Sequence, residues 1–206
     1  MLLLLLCFNL RSTTIAEAQR VIPIPFSDME IYTMLALHNI KRSEAAVEIF
    51  GILKYQANME CLNNVSMDLT KYAQSLANRC NATDYSKSPY GITVFTKKGQ
   101  QRIEPYEYMD KAEEYLYDYN IMTNECKGSN TELCHLFRQV YWYQGSEIGC
   151  GRAICGSHAR IVCAYTHKAN DEYIPFIIHP KNKKCQYCSS TKRMCSSQEL
   201  CCETNL

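Results

Sequence analysis

The chain has 206 residues, and its 22 lysines and arginines stand against 21 aspartates and glutamates, for a formal net charge of +1. A balance this close excludes a global electrostatic attraction to nucleic acid or to an anionic membrane. The chain holds 13 cysteines, and no segment after Ala18 is apolar enough to cross a bilayer or to direct a lipid anchor.

The N-terminal segment 1–18 has the pattern of a secretory signal peptide. Its apolar run, Leu2–Leu6, is too short to span a membrane. The triplet Ala16-Glu17-Ala18 has the small-x-small form that a signal peptidase accepts. We therefore predict cleavage after Ala18 and a secreted, extracellular product that starts near Gln19.

The remaining cysteines fit that compartment. Cleavage would remove Cys7 and leave twelve of the 13 cysteines, and an even number in a secreted chain predicts disulfides, each stabilising by about 2–4 kcal/mol. Two sequons, at Asn64 and Asn81, predict N-glycosylation and exposed loops around them. The sequence alone does not fix which cysteines pair.

The first half of the chain predicts two helices and a strand. Apolar residues recur on one stripe through Ser27–Phe50, with no interior glycine or proline, and a second helix is predicted at Met67–Arg79. A short strand follows at Ile92–Phe95 and ends in a turn at 97–99.

Helices and strands continue to alternate in the second half. Pro105 suits a helix start, and the helix is predicted to run through Tyr106–Asn120. A short helix at Thr131–Val140 precedes two strands, Ile148–Cys155 and Arg160–Tyr165. Such alternation predicts an α/β layered sandwich.

The composition changes at Pro180, which divides the mature chain into a domain at 19–180 and an extension at 181–206. The extension is rich in lysine, serine and cysteine, so we expect it to be held by disulfides rather than by a core of its own. Its Cys185-x-x-Cys188 spacing also suits zinc, an alternative that the oxidising secretory route disfavours.

Several different short motifs follow one another along the chain in a characteristic order. They are Leu35-x-x-His38-Asn39-x-x-Arg42, then Leu69, Ala73-Gln74, Ala77 and Cys80, then Asp118-Tyr119-Asn120, Phe137-x-Gln139-Val140-x-Trp142, Gly149-Cys150-Gly151, and Cys163-x-Tyr165 with Asn170. In this order they resemble the signature of the CAP superfamily, which contains cysteine-rich secretory proteins, insect venom antigen 5 and plant pathogenesis-related proteins of class 1. In character the chain is most similar to the helminth venom-allergen-like branch, with His167 and Ala169 where proline and glycine are usual.

The resemblance covers roughly Tyr32 to Cys202 and implies a three-layer αβα sandwich, rich in disulfides, with a short cysteine-rich C-terminal extension. The pairs that it implies are Cys80–Cys155, Cys126–Cys134 and Cys150–Cys163 in the domain and Cys185–Cys195 and Cys188–Cys201 in the extension. Because the number of mature cysteines is even, the two that remain, Cys61 and Cys202, are expected to pair with each other.

The resemblance also indicates which positions would hold a metal ion if this chain had a metal site. Many members carry two histidines and two glutamates around a central cavity, a set that suits zinc or magnesium. The corresponding positions of this chain hold Tyr85, Ile92, Tyr115 and Leu136, none of which is a comparable ligand at neutral pH. His135 and Glu114 each lie one residue away from one of these four positions. An offset of one residue on a helix turns a side chain by about 100°, so we expect both side chains to point away from the cavity. The sequence predicts no metal and no cofactor.

An enzyme is the first rival hypothesis, and the sequence offers little for it. There is no Gly-x-Ser-x-Gly motif, and with every mature cysteine in a disulfide no thiolate nucleophile is left. The histidine of the first motif, His38, is predicted to be a buried packing residue.

The preferred hypothesis is a secreted, non-enzymatic carrier of sterol or fatty acid. Two helices with surplus apolar surface would leave a groove in which each buried methylene yields about 0.8 kcal/mol, although simple packing of these residues against each other explains the pattern equally well. The predicted groove residues are Thr33, Leu37, Ile40, Met109, Tyr115, Leu116 and Tyr119.

The resemblance supports this hypothesis, because it implies fatty-acid binding between helices and sterol binding by a flexible aromatic loop. The corresponding loop is Tyr90–Tyr108, with a mobile polar stretch at Thr96–Glu104. Its predicted contacts are Tyr90, Phe95, Tyr106 and Tyr108.

The alternative is a secreted interaction protein that modulates a host receptor or an immune component without carrying lipid. The extension is basic at Lys181, Lys183, Lys184, Lys192 and Arg193, which would suit an acidic partner surface. A charge run of this kind is also typical of a solvated face.

Overall fold

The computed structural model describes residues 20–47, 56–81, 85–127, 131–179, 185, 188 and 194–203. The predicted signal segment 1–18 and the basic residues of the extension, 181–184 and 192–193, lie outside the described residues. Within the described ranges no helix is long and apolar enough to cross a membrane.

Helices and strands alternate as the sequence predicts. The helices are α1 Asp28–Val47, α2 Met67–Ala77, α3 Pro105–Glu114 and α4 Thr131–Val140. The strands are β1 Val21–Pro23, β2 Gln56–Asn58, β3 Asn64–Val65, β4 Gly91–Lys98, β5 Tyr119–Asn120, β6 Glu125–Cys126, β7 Glu147–Cys155, β8 His158–Tyr165, β9 Ile177–His179, β10 Met194–Cys195 and β11 Cys201–Cys202.

The central sheet has the order β1-β7-β8-β4, with β3 added in parallel to β7. The β7–β8 hairpin turns at Gly156, whose φ of 63° is a backbone conformation that glycine adopts without strain, and every residue of β8 after His158 is buried. Burial on both faces requires a layer on each side.

Alternate residues of the hairpin supply the two cores. Ile161, Cys163 and Tyr165 belong to the larger core with α1, α3 and α4, whereas Val162 and Ala164 pack with α2. The three-layer αβα sandwich is therefore confirmed.

Two glycines set the distance between α2 and the sheet. A Cβ atom on Gly149 would lie 2.1 Å from the Thr70 backbone nitrogen, and one on Gly151 would lie 2.3 Å from the Gln74 Cα. No side chain fits in so small a space, so the backbones of α2 and β7 lie in direct contact.

Helix α1 begins with a capping box. The Ser27 hydroxyl accepts from the Glu30 backbone N–H at 3.3 Å, and the Glu30 carboxylate accepts from the Ser27 backbone N–H at 2.9 Å. The predicted helix Ser27–Phe50 is thus correct at its N-terminus, and its last residues lie outside the described part of the chain.

Two predicted boundaries were wrong by more than two residues. The helix predicted through Asn120 ends at Glu114, because Tyr115–Asp118 tighten into a 3₁₀ turn and Tyr119–Asn120 pair with β6 around a turn at Asn124. The strand predicted to end at Phe95 continues to Lys98, since the whole of β4 pairs with β8.

The described cysteines form six disulfides. Five are the pairs that the resemblance implies, and the sixth, Cys61–Cys202, is the pair expected from parity. The Sγ atoms of Cys185, Cys188 and Cys201 lie within 4.8 Å of one another. Each belongs to a disulfide, so none is a free thiolate for zinc.

The extension is not merely held by disulfides. Leu200 and Cys201 are fully buried, and Leu200 belongs to the larger core. The Cys201 N–H donates to the Met59 carbonyl at 2.8 Å, and the Cys61 N–H donates to the Cys201 carbonyl at 2.9 Å. The extension is thus held by disulfides, and its C-terminal end also packs into the core of the domain.

We predict that Gly151→Ala destabilises the protein by about 3 kcal/mol, the upper end of the cost of overpacking, because α2 must move away from β7. Gly99→Ala is the control. Gly99 has open space around its Cβ position and a φ of 70°, so the control carries only the backbone cost of about 1 kcal/mol. Urea unfolding of both variants measures the difference, and equal losses would contradict the backbone contact.

Candidate functional site

The first candidate site is a cavity of about 400 Å³, here called the Arg160 cavity. It lies over β4, beside the segment that follows α2 and the first turns of α4. Its lining residues are Tyr85, Ser86, Ile92, Val94, Thr131, Glu132, His135, Arg160, Lys168, Ala169 and Asp171.

Two of the four positions where the resemblance places a metal ligand line this cavity, Tyr85 and Ile92. The other two do not, because Leu136 is fully buried and Tyr115 lies in the larger core. Apart from the disulfide-bonded cysteines of the extension, the described residues contain no group of three potential ligands close enough to hold a metal ion.

His135 corrects one expectation. It lines the cavity rather than pointing away, and its Nε2 lies 2.9 Å from the Ile92 carbonyl oxygen. A carbonyl only accepts, so Nε2 carries the proton and Nδ1 presents a lone pair. The offset of one residue does not turn this side chain away, because the face of α4 that carries His135 packs on β4. Glu114 is exposed and pairs with Lys111.

Among the charged residues that line the cavity, only Arg160 is buried, with 5 % of its surface exposed. Its Nη1 donates to the Asn81 carbonyl at 2.8 Å, and its Nη2 donates to the Tyr85 hydroxyl at 2.6 Å. Its Nε is buried and has no hydrogen-bond partner among the described residues. The cavity therefore contains a fixed cation with unused donors.

The second candidate site is an open cleft of about 520 Å³, here called the aromatic cleft. Trp142 and Phe176 are almost fully buried in its wall, whereas Tyr173 is 61 % exposed at its edge. The lining residues are Trp142, Tyr143, Asn170, Tyr173, Ile174, Phe176 and Ile177. Such a surface suits an apolar ligand that needs little hydrogen bonding.

One segment, 166–177, contributes to both sites, and α4 holds it in place. The Gln139 side-chain amide donates to the His167 carbonyl at 2.8 Å and accepts from the Ala169 N–H at 2.9 Å. Arg138 donates to the Asp171 carbonyl at 3.0 Å. Two consecutive residues of α4 therefore fix the position of this segment.

The structure divides the predicted helix-groove residues between the core and the surface. Met109, Tyr115, Leu116 and Tyr119 are at most 5 % exposed and pack in the larger core. Thr33 and Ile40 face solvent, and Leu37 is partly buried. The seven residues do not line one common groove, because the 3₁₀ turn after Glu114 directs the tyrosines inward.

The predicted sterol-loop residues are also separated. Phe95 and Tyr108 contact each other edge to face in the core, with ring centroids 6.5 Å apart, while Tyr90 packs on Tyr72 and Tyr106 is 58 % exposed. Residues 96–98 belong to β4, and Lys97 forms an ion pair with Glu107. Of the stretch Thr96–Glu104 that was expected to be mobile, residues 99–104 lie between β4 and α3, and Ile103 among them is fully buried.

The predicted glycosylation sites are accessible. Asn64 and Asn81 are both exposed, as an acceptor asparagine must be.

A buried polar chain connects α1 to the sheet. The Thr93 hydroxyl lies 2.6 Å from that of Tyr108, which lies 2.9 Å from that of Tyr165, and Tyr165 lies 2.8 Å from His38 Nε2. His38 Nδ1 lies 2.7 Å from the Met34 carbonyl, so Nδ1 carries the proton. Each hydroxyl then donates toward a neutral His38.

The pKa of His38 is lowered to about 4, mainly by burial, with the Met34 carbonyl opposing the shift and the charge of Arg42 contributing to it. The prediction that His38 is a buried packing residue is confirmed by its zero exposure.

We predict an acid-dependent loss of stability through His38. Above its unfolded pKa of 6.5 the histidine is neutral in both states. As the pH falls from 6.5 to 4, only the unfolded state gains a proton, so the free energy of unfolding falls by about 3 kcal/mol. Urea unfolding at pH 7 and pH 4 should show this loss for the native chain and a smaller one for His38→Gln. An equal loss in both would contradict the assignment.

Comparison with known proteins identifies the family. The model of the cysteine-rich secretory protein family, CAP, matches residues 35–165, and the chain therefore belongs to this family. Pathogenesis-related leaf protein 4 of Solanum lycopersicum is 29 % identical over 128 residues, which are 60 % of this chain and 67 % of that protein.

Solved structures agree on the fold. Venom allergen-like protein 4 of Schistosoma mansoni has a TM-score of 0.57 at 22 % identity, over 76 % of this chain and 98 % of its own. The hookworm platelet inhibitor has a TM-score of 0.68 at 17 % identity, over 87 % and 93 %. At these identities the likeness shows the fold alone.

Sequence reasoning missed most residues of both cavities. Trp142, the single tryptophan of the chain, belongs to one of the CAP-like motifs, but no sequence pattern links it to Tyr173 and Phe176. Arg160 carried a signal that was available, since an arginine inside an apolar strand needs a specific partner.

Proposed function

We propose that this chain is a secreted, non-enzymatic carrier of an apolar small molecule, a sterol or a fatty acid, and that the aromatic cleft is its binding site. The observation that carries the proposal is a pre-formed cleft of about 520 Å³, within the range of about 300–1,000 Å³ typical of small-molecule sites. Trp142, Phe176 and Ile177 give it apolar walls.

The energetics favour an alkyl or steroid body. Each methylene that leaves water contributes about 0.8 kcal/mol, so a medium-length chain offsets the cost of ordering the ligand and reaches micromolar affinity. The edge of the cleft is polar, with Asn170 and the hydroxyl of Tyr173 as potential partners for a head group. An exposed Tyr173 is also accessible to an incoming ligand.

The chemistry of the cavities supports a non-enzymatic role. His135 is the only histidine that lines either cavity as described, and its Nε2 bonds to a backbone carbonyl, while no hydroxyl or thiol of the described residues is hydrogen-bonded to its Nδ1. Nucleophilic catalysis needs a hydroxyl or thiol paired with such a base. The six disulfides support the secreted assignment, because they persist in oxidising compartments.

Binding of labelled cholesterol and palmitate to purified protein tests the proposal. Tyr173→Ser should weaken binding about tenfold through loss of the ring at the edge of the cleft, without affecting folding because Tyr173 is exposed. Tyr117→Ser, which removes a tyrosine that is 77 % exposed and lies outside the cleft, is the matched control and should bind normally.

Two other outcomes are informative. Loss of palmitate binding with Ile40→Ser, but not with Tyr173→Ser, would move the site to the predicted helix groove. If neither lipid associates above a non-specific control, the carrier assignment fails, and a protein that acts on a host receptor or immune component becomes the working hypothesis.

A further inference from the structure

We infer that the Arg160 cavity binds an oxyanion, a carboxylate or phosphate group borne by a small ligand with an apolar body. This site is separate from the proposed carrier function, because the cavity and the aromatic cleft share no lining residue. The inference rests on the unusual state of one buried guanidinium.

The described part of the chain buries four arginines, and three of them are well partnered. Arg42 donates to four backbone carbonyls, those of Glu60, Val140, Trp142 and Tyr143. Arg152 pairs with the Glu30 carboxylate at 2.9 Å, and Arg138 lies 3.9 Å from that of Asp171. These arrangements satisfy the charge or most of the donors.

Arg160 differs from the other three. Of its five N–H donors, two are used, by the Asn81 carbonyl and the Tyr85 hydroxyl, which leaves three without a partner among the residues that the structure describes. No carboxylate of the described residues lies within ion-pair distance of it. A buried cation without a partner is strongly unfavourable, so an anion in the adjoining cavity is the expected complement.

Other donors on the cavity wall fit the same ligand. The Tyr85 hydroxyl accepts from Arg160, so its own proton is available to an anion. Lys168 lies on the wall with its Nζ 2.6 Å from the Ser86 carbonyl, and an ammonium group retains further N–H donors. Guanidinium and ammonium together provide both the fork geometry and the charge that carboxylates and phosphates require.

The remaining walls define the rest of the ligand. Ile92, Val94 and Ala169 give the cavity an apolar floor, which suits a short hydrocarbon body. Two carboxylates, Glu132 and Asp171, also line it, and both are exposed to solvent. They oppose an anion, but solvent screens them far more than it screens the buried Arg160.

Calorimetric titration with octyl phosphate, inorganic phosphate and octanol tests the inference. Octyl phosphate should bind, and Arg160→Gln should weaken it by roughly tenfold or more, the effect of losing a charge-assisted contact. Glu132→Gln should strengthen binding, since it removes an opposing charge. Arg102→Gln, which removes an arginine that is half exposed outside the cavity, is the control and should leave binding unchanged.

The three probes separate the contributions of head and body. Binding of inorganic phosphate would define a site for the free anion, and preference for octyl phosphate would add the apolar floor. Octanol binding as tight as that of octyl phosphate, or octyl phosphate binding that Arg160→Gln leaves intact, would overturn the inference. So would the absence of any binding by either phosphate.

A second measurement does not depend on the folding of the arginine variant. In NMR spectra of protein labelled with ¹⁵N-arginine, the Nε–H resonance of Arg160 is the one that is absent from Arg160→Lys. Phosphate should shift this resonance and leave the Nε–H resonance of Arg42 unchanged. Lys168→Gln should weaken the titration. An Arg160 resonance that does not respond to either phosphate would contradict the site.

Discussion

The direct contact between the backbones of α2 and β7 is the constraint on which the rest of the molecule depends. Gly149 and Gly151 leave no room for a Cβ atom beneath Thr70 and Gln74. The helix therefore lies against the strand with no side chain between the two backbones at these positions. Gln74 uses this proximity, since its side chain accepts from the Arg152 N–H at 3.1 Å and donates to the Arg152 carbonyl at 2.9 Å.

On the other side of the sheet from α2, buried polar groups hold the helices in place. Arg42 ties α1 to the segment between α4 and β7 through backbone carbonyls, and His38 continues the connection to β8 and β4 through the hydroxyl chain. Buried polar groups of this kind stabilise only when each finds its partner. The helices on this side are consequently fixed in register by hydrogen bonds as well as by apolar packing.

The two candidate sites follow from how the segment 166–177 is held. Lys168, Ala169 and Asp171 face the Arg160 cavity, while Asn170 and Tyr173 face the aromatic cleft. Because Gln139 anchors this segment at His167 and Ala169, a single side chain of α4 positions walls of both. The proposed apolar site and the proposed anion site are thus neighbours along the chain with different chemistry.

The sequence by itself determined the family and the alternation of helices and strands, because these depend on residue types at fixed spacing. The resemblance led to five of the disulfide pairs and parity to the sixth, and the sequence showed which residues stand where the resemblance places metal ligands. It also predicted the burial of His38. Only the tertiary structure decided where the apolar residues after Pro105 lie: the turn at Asn124 and the pairing of β5 with β6 direct Tyr115 and Tyr119 into the core. Likewise, the burial of Arg160 without a carboxylate partner in the described part of the chain, and the placement of Trp142 and Tyr173 in one cleft, depend on residues distant in sequence, which no local pattern brings together.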